Sequence, residues 1–242
     1  MAIDRPNVYS TGSATATDLR LDGARRKLGD NVTVNQFGGQ KTISSSAETI
    51  GGASSDQFWS GSKATTHITS SNASDVDNRY YVEGIDSSGR KVGELIQLNG
   101  TTAVPLANSY AWVNVCQQYQ NSNANFGVVS LQTSGAVSRF EIPVLQGNLT
   151  CGGIGIPQGH SALITGLTIT IYSATQGITD LALLWKNDGL VHAQLYGCQV
   201  SHGLDQITLN IPTTFISDWN NGQPTVEGGL FILTGKNVSG GS

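Results

Sequence analysis

Three glutamates are the side chains of this 242-residue chain that could carry out hydrolytic chemistry, because each falls in a predicted strand. The residues are Glu83, Glu94 and Glu141. Two carboxylates facing one cleft can cleave a glycosidic bond by acid–base catalysis. Nothing in the sequence selects two of the three, so strand carboxylates that face solvent are the simpler interpretation. No Gly-x-Ser-x-Gly motif is present, and no serine or cysteine has neighbours that would activate it as a nucleophile.

Metal and phosphate sites have equally weak support. The 4 histidines have no i, i+4 or His-x-His pairing and the 3 cysteines have no Cys-x-x-Cys pair, so a zinc site is not indicated. Asp75 and Asp77 could offer two oxygens to Ca²⁺, but the distal glutamate of a calcium loop is missing, which favours a solvated loop. The segment CGGIGIPQGH at 151–160 is followed by a strand instead of a helix, so we expect a turn or bulge there and no phosphate loop. We predict a protein that is not an enzyme and holds no metal or cofactor.

The four tryptophans are candidates for stacking against a sugar, as in a lectin-like module. Trp112 and Trp185 lie in predicted strands and are expected to pack inside the protein. Trp59 and Trp219 lie in segments typical of loops. The sequence therefore leaves these last two open as contact residues.

Composition favours strands and turns over helices. Charged residues make up 12% of the chain, there are 30 glycines, and the net charge is −4. This charge gives no general attraction to nucleic acid or to anionic membranes. The opening MAIDRPNVYSTG lacks the apolar segment of a signal peptide, and no run approaches the roughly 18 apolar residues of a membrane span. We expect a protein that is made and used without secretion.

The elements that would position these side chains are short strands. Residues 79–86 and 91–98 alternate on either side of a turn at 87–90, and Asn99-Gly100 is typical of a two-residue hairpin turn. Residues 109–119 alternate again, and 161–172 form the longest clean alternation, which indicates a central strand. No segment of crossover-helix length separates the later strands, and Asn187-Asp188-Gly189 marks a further hairpin. The sequence predicts an all-β fold, an antiparallel β-sandwich or jelly-roll-like body.

The first part of the chain differs from this body. Residues 1–44 show no sustained period and are predicted to form an extended N-terminal arm, followed by the body at 45–242, in which a break between two lobes near 146 stays open. Residues 1–45 hold six basic and four acidic residues, a net charge of +2. A mildly basic arm on an acidic body suggests contact with another molecule. The predicted arm contacts are Arg25, Arg26 and Lys27, and the predicted surface or contact loops contain Trp59, Asp75, Asp77, Arg79 and Trp219.

Two stretches carry a resemblance to a known class of protein. VEGIDSSGRKVGELIQLNGTTAVPLANSYAWVN and GVVSLQTSGAVSRFEIPVLQGNLTCGGIGIPQGHSALITGLTI are similar to virion structural proteins of tailed phages, especially marine and cyanobacterial ones. The matching elements are a glycine-led strand at 84–86, LNGTT at 98–102, a Tyr and Val strand at 109–113 and a proline-led strand at 156–165. The resemblance covers roughly residues 44–172.

The resemblance implies a non-enzymatic structural protein that is assembled in the host cytoplasm and resides in the virion. Its implied partners are copies of itself, in a trimer, and other structural proteins such as the major capsid protein, with no nucleic acid and no membrane. A polar, slightly basic arm suits draping over a shell, which favours a capsid-associated cement or decoration protein. A neck, tail or baseplate component and a lectin-like carbohydrate-binding module stay open as alternatives.

Overall fold

The computed structural model describes residues 45–54, 61–119, 124–157, 162–164, 167–171, 177–187, 190–202, 207–211, 215–217 and 229–238. Within these ranges the protein is all-β, with one turn of 3-10 helix at Gly61–Lys63 and no α-helix, which confirms the predicted class. The predicted arm at 1–44 lies outside the described residues.

Fifteen strands are present in the described ranges. In chain order they are β1 Glu48–Thr49, β2 Thr65–Ser70, β3 Arg79–Asp86, β4 Lys91–Gln97, β5 Val104–Gln118, β6 Val129–Gln132, β7 Ser138–Ile142, β8 Gly153–Ile156, β9 Ala162–Ile164, β10 Leu167–Ile171, β11 Gly177–Asn187, β12 Leu190–His202, β13 Ile207–Ile211, β14 Phe215–Ser217 and β15 Gly229–Asn237.

A curled antiparallel sheet of six strands holds the first half of the body, in the order β4-β3-β5-β2-β6-β7. The predicted hairpin of β3 and β4 is confirmed. At its tip the Asp86 carboxylate accepts hydrogen bonds from the backbone N–H groups of Ser88 and Arg90 and pairs with the Arg90 guanidinium at 2.8 Å. Partial burial opposes ionisation, but these hydrogen bonds and the Arg90 charge together lower the pKa of Asp86. The carboxylate therefore stays ionised and closes the turn.

The expected hairpin at Asn99-Gly100 is wrong in its pairing, although a tight turn does form. The N–H of Thr102 donates to the Asn99 carbonyl at 3.0 Å, and Gly100 has a φ of 56°. However, β4 and β5 both pair with β3, on opposite sides of it. The turn instead packs on the loop before β3, where the Gly100 N–H donates to the Asp75 carbonyl. Local turn residues thus indicate a reversal but not which strands pair.

The 15-residue strand β5 organises the curled sheet. Its first part pairs with β2 and its second part with β3, and two register shifts against β3 bend it between these partners. Tyr110, Trp112 and Val113 on β5 are fully buried. The Trp112 ring packs edge-on against Phe140 at 5.1 Å between ring centroids, so its predicted interior position is confirmed.

A second sheet contains five strands. Its path is β1-β15-β11-β12, and β8 pairs with β15 beside β1. The predicted hairpin of β11 and β12 is confirmed by pairing from Gly177 with His202 to Asn187 with Leu190. Ile232 of β15 belongs to the same buried cluster as Tyr80. Side chains of both sheets therefore share one core.

The two sheets meet closely at the glycine-rich segment, where a turn or bulge was expected and strand β8 is found instead. The Asn114 side chain reaches from β5 and forms two hydrogen bonds to the Gly155 backbone, at 2.7 and 2.9 Å. A Cβ on Gly155 would lie 3.0 Å from Ile85 and 3.1 Å from Trp112. Glycine is thus required here by the close approach of another strand and not by a turn.

The long alternation at 161–172 is not one central strand. It divides into β9, which pairs with β14, and β10, which pairs with β13. Each forms a two-stranded ladder in the described part of the chain. The alternation indicates strand conformation correctly, but the choice of partner depends on segments more than 35 residues away.

Candidate functional site

Most of the exposed large apolar side chains of the described residues lie at one end of the six-stranded sheet. The loops at 71–78, 124–128 and 143–147 are hydrogen-bonded to one another there. Five of the eight exposed large apolar residues lie on these loops or directly after β5. They are Val76, Tyr119, Phe126, Val144 and Leu145, and we call this group the apolar end.

Asp75 holds two of these loops together from inside. Its side chain is completely buried. The carboxylate accepts hydrogen bonds from the backbone N–H groups of Phe126 and Gly127, at 2.9 and 3.0 Å. It also accepts from the Ser70 hydroxyl and, at 3.1 Å, from the Asn78 side-chain amide. Four donors converge on one buried carboxylate, so the position of each loop is set by the others.

Asn125 connects the third loop in the same way. This side chain is also completely buried. Its amide nitrogen donates to the carbonyls of Gly127 and Pro143, at 2.7 and 2.8 Å, and its oxygen accepts from the Gly147 N–H at 3.0 Å. The Leu145 N–H donates to the Asn125 carbonyl. The three loops that carry the apolar end are therefore joined by two buried polar side chains, Asp75 and Asn125.

Leu145 has an unusual conformation for an exposed residue of its type. Its φ is 64° and its side chain is 68% exposed. A bulky residue in the left-handed region is disfavoured by about 1–2 kcal/mol, and glycine or asparagine would relieve this. Strain of this kind is concentrated at binding sites.

The predicted contact residues differ in where the structure places them. Asp77 and Arg79 are exposed beside the apolar end. Asp75 was expected on a solvated loop and is instead buried, because its carboxylate supplies the acceptor that the neighbouring backbone N–H groups need. The other predicted contact residues, Arg25, Arg26, Lys27, Trp59 and Trp219, lie outside the described residues.

Sequence reasoning missed Phe126, Val144 and Leu145. A usable signal exists in the segments NANFG and PVLQG, where large apolar residues stand among polar and glycine residues without strand alternation. Isolated apolar residues of this kind are common on surfaces. Only the hydrogen bonds between their loops bring these residues to the same end of the sheet.

The three candidate carboxylates do not converge on a cleft. Glu83 lies beside Gly93, whereas Glu94 lies beside Val82, so the two side chains project to opposite faces of the β3–β4 hairpin. Glu83 pairs with Lys91 at 2.9 Å and accepts a hydrogen bond from Tyr81. Glu141 is exposed on β7, at the other edge of the sheet. The geometry of a two-carboxylate glycosidase is not formed by these residues.

Glu94 is half-buried, and its carboxylate is bound to β5 instead of extending freely into solvent as the simpler interpretation expected. Its carboxylate accepts hydrogen bonds from the backbone N–H groups of Ala107 and Asn108, at 2.7 and 2.9 Å, and from the Tyr110 hydroxyl at 3.0 Å. Burial, followed by the Glu94 charge, raises the pKa of Tyr110, so the phenol stays protonated and donates. Glu94 thus supplies a hydrogen-bond acceptor to the first part of β5, where that strand no longer pairs with β3.

We expect Glu94→Ala to lower the free energy of unfolding by about 2 kcal/mol, because it leaves four donors of β5, including the Asn108 side-chain amide, without this acceptor in a partly exposed site. Glu94→Gln keeps one carbonyl oxygen and should lose about half as much. Glu141→Ala, which removes an exposed strand carboxylate, is the control and should stay within about 0.5 kcal/mol of the parent. Urea unfolding measures all three; equal effects of Glu94→Ala and Glu141→Ala would contradict this role.

The described residues contain no group of three or more His, Cys, Asp or Glu side chains that could hold a metal ion. The Thr66 hydroxyl lies 2.9 Å from Nδ1 of His67. Cys116 and Cys151 are buried free thiols, and burial raises the pKa of Cys116 strongly and that of Cys151 to about 11. They pack as small apolar groups.

Within the described ranges, no helix has the length and apolar character needed to cross a membrane. Comparison of the chain with protein-family models, with curated proteins and with solved structures finds no match.

Proposed function

We propose that this protein is a non-enzymatic structural component of a tailed-phage particle, a capsid-associated cement or decoration protein that stabilises the shell through contacts between subunits. The observation that carries the proposal is the apolar end, a group of exposed large apolar side chains on loops that buried Asp75 and Asn125 join to one another. The resemblance at 44–172 supports the same class. A protein that acts by contact needs a rigid surface and no reactive group.

The proposal includes the arrangement of the two sheets, the N-terminal arm and the assembly of the chains. The body is a β-sandwich or jelly-roll-like unit in which the curled sheet packs against the five-stranded sheet, and the core shared by Tyr80 and Ile232 supports it. Residues 1–44 form an extended arm whose Arg25, Arg26 and Lys27 contact acidic surface on a neighbouring subunit. The assembled protein is a trimer located in the virion and bound to the major capsid protein.

Substitution at the apolar end tests the proposal. Leu145→Asn removes an exposed apolar side chain and places a residue that tolerates positive φ in the same turn. Burial of one leucine contributes about 1.5–3 kcal/mol, so we expect affinity for empty capsids of the parent phage to fall by about 10-fold to 100-fold. Stability of the isolated protein should hold or rise by about 1 kcal/mol. Co-sedimentation with capsids and urea unfolding measure the two effects.

Val137→Asn is the matched control. Val137 is 52% exposed and lies in the turn between β6 and β7, at the far end of β6 from Gly127. We expect this change to leave capsid binding unaltered. Parent protein that does not sediment with capsids would contradict the cement role, and sedimentation with tail or neck particles instead would identify it as a neck, tail or baseplate component.

A specific feature also supports the lectin-like alternative. Tyr81 lies across the outer face of β3 and β4, with its hydroxyl 2.8 Å from the position that a Cβ on Gly93 would take. The same hydroxyl donates to Glu83 at 3.0 Å. A flat tyrosine beside a carboxylate is a surface on which a sugar ring can stack. A glycan array with the parent protein and Tyr81→Ala distinguishes the two functions, since a cement protein binds capsids and no sugar.

A further inference from the structure

Asn99 and Gly100 form one of the two Asn-Gly pairs in the sequence, and Asn221-Gly222 is the other. An asparagine before a glycine can lose its side-chain amide spontaneously, because the backbone nitrogen of the glycine attacks the asparagine Cγ. Glycine permits this approach since it has no Cβ and a wide range of backbone angles. In the structure Asn99 is exposed to water, whereas Gly100 is buried. The side chain of the pair is therefore accessible while the attacking nitrogen is enclosed.

Hydrogen bonds hold both ends of the peptide group between Asn99 and Gly100. The Gly100 N–H donates to the Asp75 backbone carbonyl at 3.0 Å. The Asn99 carbonyl accepts from the Thr102 N–H, also at 3.0 Å. The next carbonyl, that of Gly100, accepts from the Ser70 N–H at the end of β2. An amide held in this way releases its proton only when the structure around it opens.

Packing also restricts this peptide group. A Cβ on Gly100 would lie 2.7 Å from the Ala73 carbonyl oxygen and 3.1 Å from the Ala73 Cα. Ala73 belongs to the loop at 71–78, which the buried Asp75 carboxylate joins to a neighbouring loop. The Gly100 nitrogen can therefore move toward the side chain before it only if the turn at 98–102 separates from this loop.

We propose that Asn99 is a deamidation site that the fold keeps closed, and that it reacts when the turn at 98–102 opens away from the loop at 71–78. The Gly100 nitrogen then forms a bond to the Asn99 Cγ, the bond from Cγ to Nδ2 breaks, and the amide nitrogen leaves as ammonia with the proton that Gly100 gives up. Water next adds to either carbonyl of the resulting cyclic imide, so the product is aspartate or isoaspartate. The overall reaction consumes water and needs no oxidant, metal or cofactor.

The reaction makes a transient opening permanent. Both products place a new carboxylate in the turn, and isoaspartate also lengthens the backbone by a methylene group. The longer backbone cannot place the Gly100 N–H on Asp75 and the Gly100 carbonyl on Ser70 at the same time. We therefore expect the isoaspartate form to lose the contact between the turn and the loop, with faster hydrogen exchange at the Gly100 amide.

Peptide mapping of the full-length protein tests the site. Parent protein is kept in mildly alkaline buffer made with water enriched in heavy oxygen, either folded or fully unfolded in urea, and the label in each product is measured by mass spectrometry. We expect Asn99 to react more slowly in the folded protein than in the unfolded chain, by about 10-fold or more. Asn221 in the unfolded sample gives the rate of an Asn-Gly pair with no fold around it. Equal Asn99 rates in the two samples, or no reaction at Asn99 in the unfolded chain, would overturn the proposal.

Asp75→Ala tests whether this loop controls the reaction. The change removes the carboxylate that holds the loop but keeps the backbone carbonyl that accepts from Gly100. We expect the folded variant to react at Asn99 faster than the parent, by about 10-fold or more, whereas Asp77→Ala removes an exposed carboxylate and should keep the parent rate. Circular dichroism confirms that each sample is folded. A folded Asp75→Ala protein with the parent rate at Asn99 would contradict opening at this loop.

A measurement on the parent alone covers the case in which Asp75→Ala does not fold. In urea concentrations below the unfolding transition, the Asn99 reaction rate and the hydrogen-exchange rate of the Gly100 amide should rise together, because both need the same opening. An Asn99 rate that stays constant while the Gly100 amide exchanges faster would reject the site.

The deamidation site is independent of the proposed function. Leu145→Asn changes neither the turn at 98–102 nor the loop at 71–78, so this variant should keep the parent rate at Asn99. Loss of capsid binding in Leu145→Asn together with that rate would support both proposals. Fast reaction of Asn99 in the folded parent, with capsid binding as expected, would reject the deamidation site alone.

Discussion

Replacing Asp75 with alanine is expected to lower the free energy of unfolding by about 4 kcal/mol. The change leaves the N–H groups of Phe126 and Gly127, the Ser70 hydroxyl and the Asn78 amide without their shared acceptor in a fully buried site. A hydrogen bond to a charged group contributes about 1.5–3 kcal/mol, and a buried donor without a partner carries a further penalty. The total is below the simple sum because the loops can partly relax.

Two further variants separate the effect of losing the Asp75 carboxylate charge from the effect of losing side-chain volume. Asp75→Asn keeps the volume and one acceptor oxygen but directs an NH₂ group at donors, so we expect a loss of about 2 kcal/mol. Asp77→Ala removes the neighbouring exposed carboxylate, whose nearest polar contact is the Gln97 amide at 3.4 Å, and should change stability by less than about 0.5 kcal/mol. Urea unfolding of the three variants provides the comparison.

Hydrogen exchange locates the effect of Asp75→Ala within the molecule. The amides of Phe126 and Gly127 should exchange faster than in the parent, while those of the β3–β4 hairpin should change little under native conditions. In the proposed role as a cement protein, capsid binding should weaken as well, because the loops of the apolar end lose the acceptor that joins them. Asp75→Ala protein with parent stability and unchanged exchange at these two amides would show that Asp75 does not hold the loops.

Replacing Gly84 with alanine is expected to lower the free energy of unfolding by about 3 kcal/mol. A Cβ on this residue would lie 2.1 Å from the Trp112 carbonyl oxygen and 3.0 Å from both the Tyr110 ring and the Val113 Cα. The nearest of these atoms, the Trp112 carbonyl oxygen, belongs to the backbone in the middle of the sheet. It lies between the two register shifts of β3 against β5. The strands must separate to admit one methyl group, which weakens the buried packing of Trp112.

Gly135→Ala is the control for a glycine substitution as such. Gly135 lies in the turn between β6 and β7, and the nearest atom to its Cβ position is 3.7 Å away. Its φ is not in the left-handed region, so alanine fits and reduces the freedom of the unfolded chain. We expect no loss of stability and a gain of up to about 0.5 kcal/mol. Thermal unfolding measures both variants; a Gly84→Ala melting temperature within 2 °C of the parent, a shift that corresponds to less than about 1 kcal/mol, would contradict the close-packing argument.

The sequence by itself determined the local character of this protein. Strand alternation located β3, β4 and much of β5, and the composition excluded helices from the described body. The hairpin pairing of β3 with β4 and of β11 with β12 was also apparent, since short hairpin connections are favoured by residues within them. These features depend on neighbours along the chain, and the sequence displays those neighbours directly.

Only the tertiary structure decided which polar side chains are interior. Asp75 and Asp77 stand two residues apart in one polar segment, yet the first is buried and the second is exposed. The difference arises because Phe126 and Gly127, about 50 residues later, bring N–H groups that require an acceptor. Glu94 is held inward for the same reason by Ala107 and Asn108.

Strand partners and the apolar end were likewise set by contacts distant in sequence. The run at 161–172 alternates without interruption but takes two partners, and the glycines at 153 and 155 form a strand because β5 and β15 approach them. Phe126 and Leu145 become one surface only when buried Asn125 joins their loops. Conformation along a strand is a local property, whereas its hydrogen-bond partners and the faces that meet depend on the fold of the whole chain.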